Sequence, residues 1–273
     1  MNKFEKYLAE LNEFTDSIDF ESNDLEEIKK FVPIVSKILG VESLSTYVMN
    51  VDTENLVLTR CRKNKGRGIL YENTAELNYP KAEYVNLHGR ANVWNQSRFY
   101  ASDRPGTSLY EVRPNNDWIS SIDLRITKPS LKMLAVNPNS KYLLKTQTNF
   151  TDAEKAFNKY LSERFMAQIP PEKHFLYLPS AILTNLLIQD VDGIVFPSVA
   201  SNLKGENFVL KPELIDKYSQ IIETRVQETY RHKSPFEFKT KCLYVSNEFS
   251  RSGEIIWKPL NCNGHKIDES IYH

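Results

Sequence analysis

The sequence predicts an α+β fold, a mixed β-sheet core with flanking helices behind a helical N-terminal extension. Three observations point there. Near the start, Phe4, Tyr7, Leu8, Leu11 and Phe14 recur at the three- and four-residue spacing of one helical stripe. Elsewhere, short runs alternate apolar and polar residues, as over 56–62 and 118–126, which is the period of a half-buried strand. Prolines, glycines and capping residues separate the two kinds of segment, with no internal repeat or low-complexity tract. At 273 residues, 41% hydrophobic and 26% charged, the chain has the length for one large domain with extensions.

Two helices are expected before residue 43. The first carries the stripe; the second runs from about Glu21 to Leu39, with Asn23 or Asp24 near its cap and Gly40 as its stop. A weak strand at 44–50 precedes a stronger one at 56–62, where alternation puts Leu56, Leu58, Arg60 and Arg62 on one face. A charge beside two leucines is costly if buried there, and more tolerable at a strand end facing a polar cleft. Residues 66–87 read as irregular, with Tyr71, Tyr79 and Tyr84 as candidate pocket or core aromatics. A strand at 98–102 is broken by Asp103-Arg104-Pro105-Gly106, and Thr107 is placed as the N-cap of a short helix over 107–113.

A strand follows at 118–126, then a loop or short strand at 128–139. Thr151 and Glu154 form a capping box that opens a helix to about Met166, with Ala156, Phe157, Tyr160, Leu161 and Phe165 on one face. Another helix starts at about Lys173 or Pro179 and ends at Ile188. Asp192-Gly193 turns into a buried strand at 194–196, Pro197 ends it, and a strand follows at 205–212. Leu214, Tyr218, Ile221, Ile222 and Val226 predict a helix over 213–231. Strand-like runs at 241–245 and 254–257 close the chain, with Arg251-Ser252-Gly253 as a hairpin turn.

Lys and Arg number 35, as do Asp and Glu, so the net charge is zero and gives no footprint for direct nucleic-acid binding. The local basic run at 60–67 reads as a solvated loop. No apolar stretch reaches eighteen residues and the charged N-terminus lacks a signal-peptide core, so no membrane association is expected. Cys61, Cys242 and Cys262 are odd in number and widely spaced, which suits free thiols in a reducing cytoplasm. The five histidines are scattered without ligand spacing, and no metal is expected.

Polar chemistry concentrates at 88–113, in Arg90, Asn92, Tyr100 and Glu111, and again at Ser198, which sits at a strand terminus. A guanidinium binds phosphate bidentately. An aromatic ring stacks on nicotinamide or adenine. A carboxylate can hold a ribose hydroxyl or stabilise an oxocarbenium-like centre. Together they suit cleavage of the bond between nicotinamide and ribose in NAD, because nicotinamide leaves uncharged from a cationic ring. Each residue also has a purely structural role open to it. Arg60 can be a surface strand residue, Arg90 a loop brace, Tyr100 a core residue, Glu111 a solvated partner of Arg104 or Arg113, and Ser198 a turn residue.

In order along the chain stand Arg60, Gly89-Arg90-Ala91-Asn92, Tyr100-Ala101-Ser102, Thr107 with Glu111, Asp192-Gly193-Ile194-Val195-Phe196-Pro197-Ser198, and Asn207. This series resembles the RES-domain family, named for its Arg, Glu and Ser, over about residues 45–215. The resemblance implies an ADP-ribosyltransferase-like fold, with residues 1–44 as a helical extension, 45–215 as the RES domain and 216–273 as a C-terminal helix and short strands packed on the core. It implies NAD as substrate, and NAD glycohydrolase or phosphorylase activity in a bacterial toxin or defence effector. It also implies pairing with an antitoxin that carries a DNA-binding domain. Carried over by position, Arg60, Glu111 and Tyr100 would be catalytic, and Arg90, Ser198, Asn207 and Arg62 would bind substrate. Arg62 is the alternative to Arg60 for the family arginine. Two other readings stay open: transfer of ADP-ribose to a protein or nucleotide, and a module that binds a nucleotide without turnover. A homo-oligomer is open as well.

Overall fold

The computed structural model describes residues 1–22, 25–143, 149–231 and 238–260. The chain forms two compact units that interleave along the sequence. One comprises Met1–Val51, Lys81–Arg98 and Leu131–Phe196; the other comprises Asp52–Pro80, Phe99–Ser130 and Pro197–His273.

In the first unit, α1 (Lys3–Asp16) is opened by a capping box in which Asn2 and Glu5 satisfy each other's backbone N–H groups. Its stripe packs on α4 (Asp152–Met166), where the Thr15 and Tyr160 hydroxyls meet at 2.6 Å and Arg164 donates to Asn12. The Thr151–Glu154 capping box starts α4 where the sequence places it. Phe31 of α2 (Leu25–Leu39) stacks on Phe14, and Gly40, with φ +66°, ends α2 in the left-handed conformation that glycine adopts without steric cost. The expected caps Asn23 and Asp24 lie outside the described residues.

Strands β1 (Tyr47–Asp52), β5 (Ser130–Ala135) and β6 (Gly193–Pro197) lie side by side in that order. β5 and β6 are parallel, and α4 and α5 (Leu178–Leu187) supply the long crossover that parallel neighbours need. A 3-10 turn at Pro171–Tyr177 runs straight into α5.

The second unit contains β2 (Val57–Lys63), β3 (Phe99–Ser102), β4 (Trp118–Ile126), β7 (Glu206–Leu210), β8 (Ser219–Arg231), β9 (Phe238–Ser246) and β10 (Lys258–Pro259). Their spatial order is β7-β3-β2-β4-β8-β9-β10, antiparallel at every pairing. Cross-strand neighbours share a face. One face is apolar, with Leu58, Phe99, Ile122, Leu124 and Phe208 fully buried. The other carries Thr59, Cys61, Tyr100, Ser102, Ser121, Asp123, Asn207 and Arg225.

Three expectations are corrected here. Residues 213–231 are not one helix: α6 (Pro212–Tyr218) ends after two turns and the chain continues as β8. β8 pairs with both β4 and β9, so ladder hydrogen bonds on both edges override a spacing that looked helical. Thr107 is not an N-cap, because α3 (Pro105–Glu111) begins two residues earlier with Arg104 at the cap and Pro105 at the first position. The run at 254–257 forms only isolated bridges, Asn73↔Glu254 and Phe249↔Ile255, around the turn where Gly253 has φ +84°.

The basic run is not a bare loop. Arg62 donates to the Glu76 carbonyl and lies over the Tyr71 ring, while Lys63 pairs with Asp117 and Arg67 with Glu228. Among the described residues, no helix is long and apolar enough to cross a membrane.

Candidate active site

Helix α3 presents the central carboxylate, and three local contacts fix it. β2 pairs β3 at Thr59↔Ser102, after which the chain leaves the strand for α3. The β3–β7 ladder is extended by Asp103, whose N–H donates to the Glu206 carbonyl and whose Oδ1 accepts the Glu206 N–H at 3.0 Å. The Ser108 hydroxyl accepts the Cys61 N–H at 2.9 Å, so a helix side chain satisfies a β2 donor. Thr107, buried, sits so close to Gly205 that a Cβ there would lie 2.1 Å from Thr107 Oγ1. Only glycine allows that approach. Arg113, with φ +46° and its N–H on the Tyr110 carbonyl, closes the turn after the helix.

Glu111 is the last residue of α3, and it is exposed. A carboxylate is disfavoured at the C-terminal end of a helix, where unsatisfied carbonyls concentrate negative charge. Here two donors offset that. Ser198 Oγ and Asn207 Nδ2 both donate to Glu111 Oε1, each at 2.6 Å. Both donors are buried, Ser198 at 0% and Asn207 at 5% exposure. Among the described residues nothing donates to Oε2. Ser198 follows β6 directly; its N–H donates to the Gly205 carbonyl, and its Oγ accepts the Ser201 N–H at 3.1 Å. The loop closing this turn holds Asn202 and Leu203 at φ +54° and +64°, a conformation that costs a residue with a Cβ about 1–2 kcal/mol. Asn207 lies across from Ser102, whose hydroxyl donates to Asn207 Oδ1 at 2.6 Å.

Tyr100 stands two residues before Ser102 on the same strand face, half-buried and paired with Val209. Arg60 lies on the other, apolar face, beside Leu58 and across from Ile122. Its guanidinium turns to the edge where β2 and β3 part, donating to the Asn78 carbonyl at 3.1 Å and the Tyr100 carbonyl at 3.0 Å. Burial, and then the neighbouring Arg62 cation, lowers its pKa to about 10, so it keeps its charge at neutral pH. Arg62 is engaged with Glu76 and Tyr71.

Arg90 belongs to the first unit. It follows Gly89, whose N–H closes a turn on the Asn92 carbonyl. Its guanidinium donates to the Phe165 and Ala167 carbonyls at the end of α4 and lies over the Tyr177 ring. The structure thus brings Glu111, Ser198 and Asn207 together, with Tyr100 on the same strand face, and gives Arg60, Arg62 and Arg90 backbone carbonyls as partners.

Sequence reasoning missed two features. Ser102 was legible as a motif residue, but its partner on β7 required the strand register. Thr59, Asp123 and Arg225 form a second polar cluster on that face: Thr59 donates to Asp123 at 2.7 Å, and Arg225 pairs with Asp123 and Glu223. A carboxylate in the middle of a strand predicted to be half-buried was the available signal, since it demands a cation or donors. Burial pushes the neighbouring Cys61 thiol up to about 12. Among the described residues, no group of three or more His, Cys, Asp or Glu could hold a metal ion. No family model and no curated protein matches the chain.

Proposed function

We propose that the chain is an NAD-consuming enzyme of the RES type that cleaves the bond between nicotinamide and ribose, on an ADP-ribosyltransferase-like fold. The observation that carries the reading is Glu111: an exposed carboxylate at a helix end with one oxygen held by two buried donors. A carboxylate retained against the helix dipole and braced this way is built to accept from a ligand.

In the proposed reaction the electron pair of the C–N bond passes to nicotinamide, which leaves neutral. Positive charge moves to the ribosyl ring, where Glu111 stabilises it and holds a ribose hydroxyl. Water or phosphate then adds to the ribosyl carbon and gives up a proton to solvent. Tyr100 lines the nicotinamide subsite. Ser198 and Asn207, both buried, keep the carboxylate oriented. Arg60, with Arg62 beside it, holds the Tyr100 backbone; a part in binding the diphosphate is what the resemblance implies for it. A DNA-binding antitoxin is the partner implied for such an enzyme, acting in the cytoplasm.

The exposure of Glu111 favours a second reading, transfer of ADP-ribose to a macromolecule, because a large acceptor can reach it. Product analysis separates the two. Purified protein with NAD should release nicotinamide together with ADP-ribose in plain buffer, or with its 1-phosphate when phosphate is added. If nicotinamide is released only when cell lysate is present, with label appearing on protein, transfer replaces hydrolysis or phosphorolysis. No loss of NAD under either condition would overturn both.

A further inference from the structure

We propose that Ser102 is a positioning residue for Glu111, acting through Asn207; the inference rests on the reading of Glu111 as the reacting-centre carboxylate. An asparagine amide has an accepting end and a donating end of nearly the same shape. Which end meets Glu111 decides whether the contact attracts or repels. Glu111 settles it, because an ionised carboxylate only accepts: Asn207 Nδ2 donates to Glu111 Oε1 at 2.6 Å, and the Ser102 hydroxyl, donating to Asn207 Oδ1 at 2.6 Å, holds the amide in that orientation. Ser102 and Asn207 are directly opposed on β3 and β7, so the ladder holds the pair in register.

Burial strengthens the argument. Ser102 is 1% exposed and Asn207 5%, so bulk water has little access to take over the orienting role. A buried hydroxyl in a strand costs stability unless it is bonded, and alanine would fill the strand position without that cost. The other donor is arranged in the same way. Ser198 Oγ accepts the Ser201 N–H at 3.1 Å, which directs its single proton to Glu111 Oε1. Each donor on Oε1 is therefore held by a second contact, and Ser102 is the side chain that holds the amide in place.

The test uses Ser102→Ala, Ser102→Thr and Asn207→Ala in the full chain, with two independent readouts. In the first, the side-chain amide protons of Asn207 are followed by NMR. Wild type should show a well-separated, slowly exchanging pair, shifted by Glu111→Gln, and Ser102→Ala should speed exchange by about tenfold or more, the equivalent of one net hydrogen bond. In the second, NAD turnover by Ser102→Ala should fall about tenfold in kcat with KM nearly unchanged, and Ser102→Thr, which keeps the hydroxyl, should recover most of it. In an Asn207→Ala background Ser102→Ala should cost nothing further.

An unchanged Asn207 amide in Ser102→Ala, or a loss of the same size with and without Asn207, would overturn the inference. If wild type leaves NAD intact, the reading of function fails, and the amide resonances still decide whether Ser102 positions the pair.

Discussion

Gly205→Ala tests the clamp that joins the loop carrying Ser198 to the helix carrying Glu111. A Cβ at residue 205 would lie 2.1 Å from Thr107 Oγ1, 3.0 Å from its Cβ and 3.1 Å from its Cγ2. Rotating the threonine moves Oγ1 but cannot move its Cβ, so either the loop or α3 must shift. Overpacking a tight site costs about 1–3 kcal/mol, and a contact this short belongs at the upper end, roughly 2–3 kcal/mol. For a chain of this size that lowers Tm by roughly 5–10 °C. Urea unfolding followed by circular dichroism gives the loss directly. Adding Thr107→Ala removes Oγ1 and Cγ2 and should restore about 1–2 kcal/mol of it. A cost below about 0.5 kcal/mol, or no recovery in the double variant, would show that the helix and loop do not touch as described.

Two further outcomes are expected. Asp123→Asn weakens the Thr59 contact and removes one carboxylate from beside Arg225, and should cost about 2 kcal/mol in urea unfolding, the size of a hydrogen bond to a charged group; an unchanged midpoint would mean the cluster is solvated. Burial, and then the nearby His174, lowers the pKa of His88, whose Nδ1 accepts the Trp94 N–H. As pH falls below about 6.5 the unfolded chain therefore takes up a proton that folded His88 resists, so stability should fall toward acid, and His88→Gln should flatten that slope. Equal slopes for the two proteins between pH 7.5 and 5.5 would refute the assignment.

Much of the frame was legible because local chemistry and tertiary structure agree. The Thr151–Glu154 box starts α4, the alternation over Trp118–Ile126 is β4, and the Asp192-Gly193 turn leads into β6. β8 was not legible, for a specific reason. A register shift at Asp123/Leu124, where β8 carries one extra residue at Ile222, breaks the two-residue period, and Ile221 and Ile222 then mimic a helical stripe. The start of α3 was missed because Pro105 was read as a breaker, whereas proline at a helix's first position fits the missing donor and the fixed φ.

At the site, the residue types were readable but their grouping was not. The sequence put Arg60 on a face with Leu56 and Leu58, and β2 does place it beside Leu58 on the apolar face. The two carbonyls that make the charge tolerable there, from Asn78 and Tyr100, come from segments whose approach no local pattern encodes. The same holds for Ser102 and Asn207, which are 105 residues apart and meet only through strand register.

The most direct test of the central claim is nicotinamide release from NAD by wild type and Glu111→Gln side by side, at equal folded concentration checked by circular dichroism. Gln keeps the size and can still accept from Ser198, but it loses the charge that stabilises the ribosyl cation. The account predicts steady release by wild type and a loss of about 10²–10⁴-fold in the variant, the range for a positioned catalytic group. Equal release by the two proteins would contradict the role given to Glu111.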